Sequence, residues 1–195
     1  MSTPTGATGL LAGAISYALG ACALIGPAEL ELPTPCPDWN LAMLLAHLGD
    51  SMADLETAIR TGCLDPGHPS GPAGDDLVEE LRERAAQLLC AAYGHAGPER
   101  FVTIGGLPMP AGLVACTGAV EIAVHGWDVT AARARGGCYS GPPIPAPLAA
   151  RLLRICPLLV AGREGLFAVP VEVPAQASPG DQLVGYLGRR PAAHS

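Results

Sequence analysis

The stretch from Ala111 to Arg135 constrains this chain more than any other, because it reads as one long and largely apolar helix. Within it lies Glu121-Ile-Ala-Val-His125-Gly-Trp127-Asp128. Glu121 and His125 are four residues apart, so on a helix they stand one turn above each other on the same side. Ala119, Val120, Ile122, Ala123 and Val124 surround them. A carboxylate and an imidazole are costly to bury among such neighbours without a partner. Either the two satisfy each other, or a cation sits between them. A divalent metal would use both, since it takes carboxylate oxygen and neutral imidazole nitrogen together. Two ligands do not make a site, so a third must come from elsewhere in the chain.

Composition narrows where to look. A chain of 195 residues can bury a real core in one domain. With 49% hydrophobic and 15% charged residues, disorder is excluded over most of it. All 11 basic residues are Arg, the net charge is −7 and no basic cluster exists, which argues against nucleic acid as the main partner. Seven cysteines lie at 22, 36, 63, 90, 116, 138 and 156 without a Cys-x-x-Cys pair. Free thiols in a reducing cytoplasm fit that spacing better than a disulfide framework or a zinc ribbon. Gly9 to Gly26 is apolar, and Leu19-Gly-Ala-Cys22 has the look of a lipoprotein cleavage box. The first basic residue is Arg60, however, so the positive start of a signal peptide is missing, and a buried first helix is expected instead. No membrane partner is expected.

In chain order, helices are expected over 7–25, from Asp38-Trp39-Asn40 to Gly62, from Asp75, over 111–135 and over 145–162. Asp38 or Asn40 is available to cap the second. Pro33, Pro35 and Pro37 break the connector before it. Phe101–Ile104 and Phe167–Val173 read as short strands. The expected fold is mainly all-α: an antiparallel four-helix bundle with an extra C-terminal helix and a short strand-like tail. Residues 1–163 would form the bundle with its site, and residues 164–195 an extension packed on it. Sites in such bundles are built by side chains from facing helices. Besides His125, His68 and His95 fall in loops and His194 in the tail; only His47 lies mid-helix, flanked by Leu44, Leu45 and Leu48, and it is the candidate third ligand.

At these residues the chain resembles a known family. Thr34-Pro-Cys-Pro-Asp-Trp-Asn-Leu-Ala-Met-Leu-Leu-Ala-His47 and Val124-His-Gly-Trp-Asp128 resemble the two signatures of the DinB/YfiT-like metalloenzymes. The branch is the one related to mycothiol-dependent maleylpyruvate isomerase. The ending, from Gly165 to Arg189, looks like the tail of its short, single-domain actinobacterial members. The resemblance implies a DinB-like bundle with an open metal face. It places zinc ligands on His47, Glu121 and His125, the same three that the residue-level reading selects. The isomerase itself has a further C-terminal domain, which this sequence does not extend to cover.

Supporting roles follow from position. Asp128 and Asp50 each stand three residues after a candidate ligand, where a carboxylate can orient an imidazole, although Asp50 reads better as a solvated surface charge. Trp127 and Trp39 could wall the pocket or pack in the core. Cys36 reads as packing at a helix entry. Arg133, Arg135 and Arg163 could take a cofactor or substrate carboxylate or lie at the surface, and Arg189 reads as structural. The leading functional expectation is a metal-dependent enzyme that activates a low-molecular-weight thiol, mycothiol-like, for S-transfer to a small electrophile or for its isomerisation. The alternatives are a thiol-independent metal-dependent hydrolase, lyase or cyclase, and a non-enzymatic binding protein with a vestigial metal site. The expected partner is a small molecule; a homodimer is compatible with the sequence.

Overall fold

The computed structural model describes residues 6–64, 76–95, 100–137, 141–159 and 168–191. Four helices, α1 (Ala7–Ala21), α2 (Leu41–Thr61), α3 (Leu77–Gly94) and α4 (Ala111–Arg135), form the body. α1 packs on α4, α4 on α2, α2 on α3 and α3 back on α1, which closes the expected four-helix bundle. Leu11, Ile15, Leu44, Leu45, Leu48, Met52, Leu88 and Ile122 are essentially fully buried between them. Removing that much apolar side chain from water is the main favourable term of the fold. The approach of α1 to α4 depends on Gly126, where a Cβ would lie 3.0 Å from the Ala18 Cα.

Local chemistry sets the ends of the helices. Asn40, not Asp38, caps α2, its side chain accepting from the Met43 amide at 3.0 Å. Asp38 instead takes a left-handed φ of +65° in the turn Cys36-Pro37-Asp38-Trp39, closed by the Trp39 amide donating to the Cys36 carbonyl at 3.2 Å. Proline second and a positive φ third is the pattern of a type II turn. That turn brings Cys36 and Trp39 toward α4. α2 ends at Gly62 with φ +80°.

Beyond the bundle, α5 (Ala146–Leu159) packs on α4 and α1, and α6 (Pro179–Tyr186) packs on α5. A small sheet runs in the order β1 (Cys63–Leu64), β2 (Phe101–Ile104), β3 (Leu107–Pro110), with β1–β2 parallel and β2–β3 antiparallel. The strand expected at Phe101–Ile104 is β2. The strand expected at Phe167–Val173 does not form over its described part. Residues 168–173 are irregular, and Val171 gives its amide to the Gly185 carbonyl beside α6 rather than to a strand partner. Phe167, Arg163, His68 and His194 lie outside the described residues. Among the described residues no helix is long and apolar enough to cross a membrane, and none of the six described cysteines is in a disulfide.

Candidate metal centre

α2 and α4 face each other in the bundle, and each carries polar groups onto the shared side. From α2 come His47 and, one turn on, Ser51; from α4 come Glu121, His125 and Asp128. One ligand atom from each of His47, Glu121 and His125 lies within 4.8 Å of the others. His47 Nε2 is 3.4 Å from Glu121 Oε1, and the two imidazole rings stand edge to face with centroids 5.0 Å apart. The His47 and Glu121 side chains are about a third exposed, 37% and 33%, whereas that of His125 is only 11% exposed. The cluster is therefore anchored inside the bundle at His125 and open toward solvent on the other side.

Each member is held by a further contact. Ser51 Oγ donates to Glu121 Oε1 at 2.6 Å. Burial pushes the Glu121 carboxyl up, but the hydrogen bonds from His47 and Ser51 and the nearby imidazoles outweigh it and hold the group below its ordinary range. His125 Nδ1 lies 3.0 Å from Asp128 Oδ2. Asp128 is fully buried; burial raises its carboxyl, while hydrogen bonds from His125 and Arg189 more than reverse that and keep it ionised. An ionised acceptor at Nδ1 fixes the proton there and leaves Nε2 as the free acceptor of His125, the state a metal-binding imidazole needs. Trp39 closes one flank, its ring 4.8 Å from that of His47 and stacked 6.5 Å from that of His125.

A second set, Cys36, His125 and Asp128, is equally close-knit, but its chemistry differs. Asp128 accepts from Arg189 through Nη2 at 2.8 Å and Nε at 3.3 Å, and from His125 at 3.0 Å. Those bonds occupy the carboxylate. Burial, with the Asp128 charge beside it, pushes the Cys36 thiol up to about 11. A thiol so raised stays protonated near neutrality in the metal-free protein, and an ion would have to displace that proton to bind there. The set is a hydrogen-bonded network behind His125, with the Cys36 thiol 3.5 Å from Asp128 Oδ2.

Other residues singled out in the sequence lie elsewhere. Trp127, expected as a pocket wall, is two residues and so about 200° round α4 from His125. It lines a separate cavity of about 410 Å³ with Arg135 and Arg190. Arg133, expected either to take a cofactor or substrate carboxylate or to lie at the surface, is only 3% exposed and is turned inward. Its guanidinium donates to Glu29 Oε1 at 2.7 Å and to the carbonyls of Ala21 and Ala23 at 2.9 and 3.0 Å, at the C-terminal end of α1. Asp50 pairs with Arg84 of α3 at 2.6 Å rather than with the His47 ring. Ser51 and the grip of Arg189 on Asp128 were missed from sequence. The first was legible, being four residues after His47 on the same helix face; the second spans 61 residues and left no local signal.

A helical bundle in which two facing helices converge two imidazoles and a carboxylate defines a class, that of bundles with a cofactor or metal site built across their helices. Residues 11–130 match the family model of the mycothiol maleylpyruvate isomerase N-terminal domain, and the chain belongs to that family. The match takes in His47, Glu121, His125 and Asp128 and ends before α5, α6 and Arg189. No curated protein and no solved structure matches the chain.

Proposed function

We propose that the chain is a zinc-dependent enzyme that uses a low-molecular-weight thiol of the mycothiol type to transfer sulfur to, or isomerise, a small electrophilic substrate. The observation that carries this reading is the convergence of His47, Glu121 and His125 within 4.8 Å, with the Nδ1 of His125 already engaged by Asp128. The donor set fits zinc: two neutral imidazoles and one carboxylate are a common three-residue set, leaving a position open. Zinc held there would retain a charge of about +1 and supply a Lewis acid that favours the deprotonated form of a thiol or water brought to it.

This chain's own residues do the rest. His47 and His125 bind through ring nitrogens, and Glu121 offsets part of the ion's charge. Ser51 fixes the Glu121 carboxylate, and Asp128 fixes the His125 ring. Trp39 covers the imidazoles on one flank and keeps water from that side. The a-third-exposed edge at His47 and Glu121 is where thiol and substrate would enter. Membership of the mycothiol-related family favours mycothiol as the thiol and a maleylpyruvate-like electrophile as the substrate.

The test is isothermal titration of mycothiol into zinc-loaded protein, together with turnover of maleylpyruvate with and without the thiol. Binding that requires zinc and disappears in His125→Ala, with turnover that needs the thiol, is the expected result. Turnover that persists after all thiols are removed, yet is abolished by His125→Ala, would reassign the site to thiol-independent metal chemistry.

A further inference from the structure

Resting on the metal reading above, we infer that Arg189 is a positioning residue for the metal centre, and that metal binding and docking of the C-terminal segment are thermodynamically linked. The observation is a continuous path of short contacts. Arg189 grips both oxygens of Asp128, at 2.8 and 3.3 Å, and Asp128 in turn holds His125 Nδ1 at 3.0 Å. Asp128 is fully buried, so its carboxylate depends on protein donors rather than bulk water. A two-point grip by a guanidinium fixes the plane of a carboxylate, which a single hydrogen bond does not. The plane of Asp128 then fixes the plane of the His125 ring. Partners of this kind behind a ligand imidazole typically change metal affinity by about 10–100-fold when removed.

Arg189 reaches that position because of how α6 ends. The Arg189 amide donates to the Val184 carbonyl at 2.8 Å and the Gly188 amide to the Gly185 carbonyl at 3.0 Å. With Gly188 at φ +83°, these are the paired bonds of a Schellman cap, which turns the chain sharply at the helix end. Gly188 is required twice over, since a Cβ there would also lie 2.6 Å from the Ala168 Cβ. The cap turns Arg189 back toward α4, where its Nη1 also donates to the Leu187 carbonyl at 3.0 Å. α6 itself is anchored by Leu183, Val184 and Leu187, all fully buried in the main core. The segment that completes the support of His125 thus lies outside residues 11–130, the part that defines the family. Because linkage is reciprocal, a segment that raises metal affinity must itself be held more tightly once metal is bound.

The experiment measures zinc affinity by competition with a chromogenic chelator for the wild type, Arg189→Met, Arg189→Lys, Asp128→Asn and the Arg189→Met/Asp128→Asn pair. Each variant is first checked for helix content. Amide exchange across residues 183–187 is then followed with and without zinc. Arg189→Met should bind zinc about 10–100-fold more weakly, with Arg189→Lys in between because it keeps the charge and loses the fork. The double variant should lose little beyond Asp128→Asn alone, since both act through one carboxylate. Zinc should slow exchange in α6 of the wild type and not of Arg189→Met. If Arg189→Met does not fold, the lysine variant and the exchange experiment on the wild type still decide the matter. A wild type that binds zinc beside folded Arg189 variants that bind it within twofold, with zinc leaving α6 exchange unchanged, overturns this inference alone. A folded wild type that takes up no zinc overturns the metal reading beneath it.

Discussion

Arg133→Met would separate a structural arginine from a ligand-binding one. The side chain is 4% exposed and donates to Glu29 Oε1 at 2.7 Å, to the Ala21 and Ala23 carbonyls at 2.9 and 3.0 Å, and to the Leu24 carbonyl at a longer 3.4 Å. Methionine keeps much of the stem and none of the donors. Breaking a buried ion pair by removing one partner costs about 3–5 kcal/mol. The lower end applies to the pair itself, because the Glu29 side chain retains 13% exposure and can recover some water. The carbonyls at the end of α1 lose a cation where the helix dipole is negative; of these only the bond to Ala21 is buried, and an unsatisfied buried acceptor costs roughly 1–3 kcal/mol. Allowing for relaxation, a loss of about 3–5 kcal/mol is expected, a large part of the roughly 5–15 kcal/mol that holds a domain together. Urea unfolding followed by circular dichroism measures it. At a slope of about 1–3 kcal/mol per molar urea, the midpoint should fall by more than about 1 M. A midpoint within about 0.3 M of wild type, with unchanged slope, would refute the structural role, and loss of ligand binding at unchanged stability would restore the binding role.

Two further outcomes follow from the same geometry. Gly126→Val places branched carbon against the Ala18 backbone, where even a Cβ has only 3.0 Å. Helices α1 and α4 must then separate, so the variant should unfold about 1–3 kcal/mol more easily, whereas Gly94→Ala, with open space around it, should not be destabilised. Equal stability of the two variants in urea would contradict the close approach. For pH, Asp128 and Glu121 are both held below the ordinary carboxylate range when folded. Below about pH 4 the unfolded chain takes up protons that the folded chain refuses. The stability these groups lend is thus complete above that point and lost as pH falls through their folded values. Metal-free protein should lose stability as pH falls below about 4, and Asp128→Asn should lose less over the same descent; an equal or steeper loss in that variant would reverse the argument.

The helices were legible because their apolar period is long and their ends carry chemistry: Asn40 and Asp76 as caps, Gly62 as a stop. The three candidate ligands were legible for the same reason, since a polar residue on a buried helix face stands out against it. α6 was missed although Ser178-Pro179-Gly180-Asp181 carries its signals, a capping serine, a proline in the first turn and an acid three residues after the cap. β3 was missed because Pro108 and Pro110 discourage a strand reading, yet an edge strand tolerates prolines that cannot donate to a neighbour. The alternation misled in the opposite direction over its described residues 168–173: a period of two predicts a strand only where a partner edge exists. Trp127 could have been excluded by counting residues around α4, and Trp39 could not have been placed without the turn at Asp38. What no local pattern shows is which arginine reaches Glu29 and the carbonyls at the end of α1 and which grips Asp128 behind His125. Arg133 and Arg189 differ only in what the fold brings opposite them.

X-ray absorption at the zinc edge, on protein purified without a metal-affinity tag and free of added thiol, tests the central claim most directly. The account predicts one ion per chain with a shell of nitrogen and oxygen only, at about 2.0–2.2 Å and with imidazole scattering, converted to a weaker or altered site by His47→Ala. A folded protein that stays metal-free in excess zinc would contradict it. So would a sulfur shell near 2.3 Å, which would place the ion on Cys36 instead.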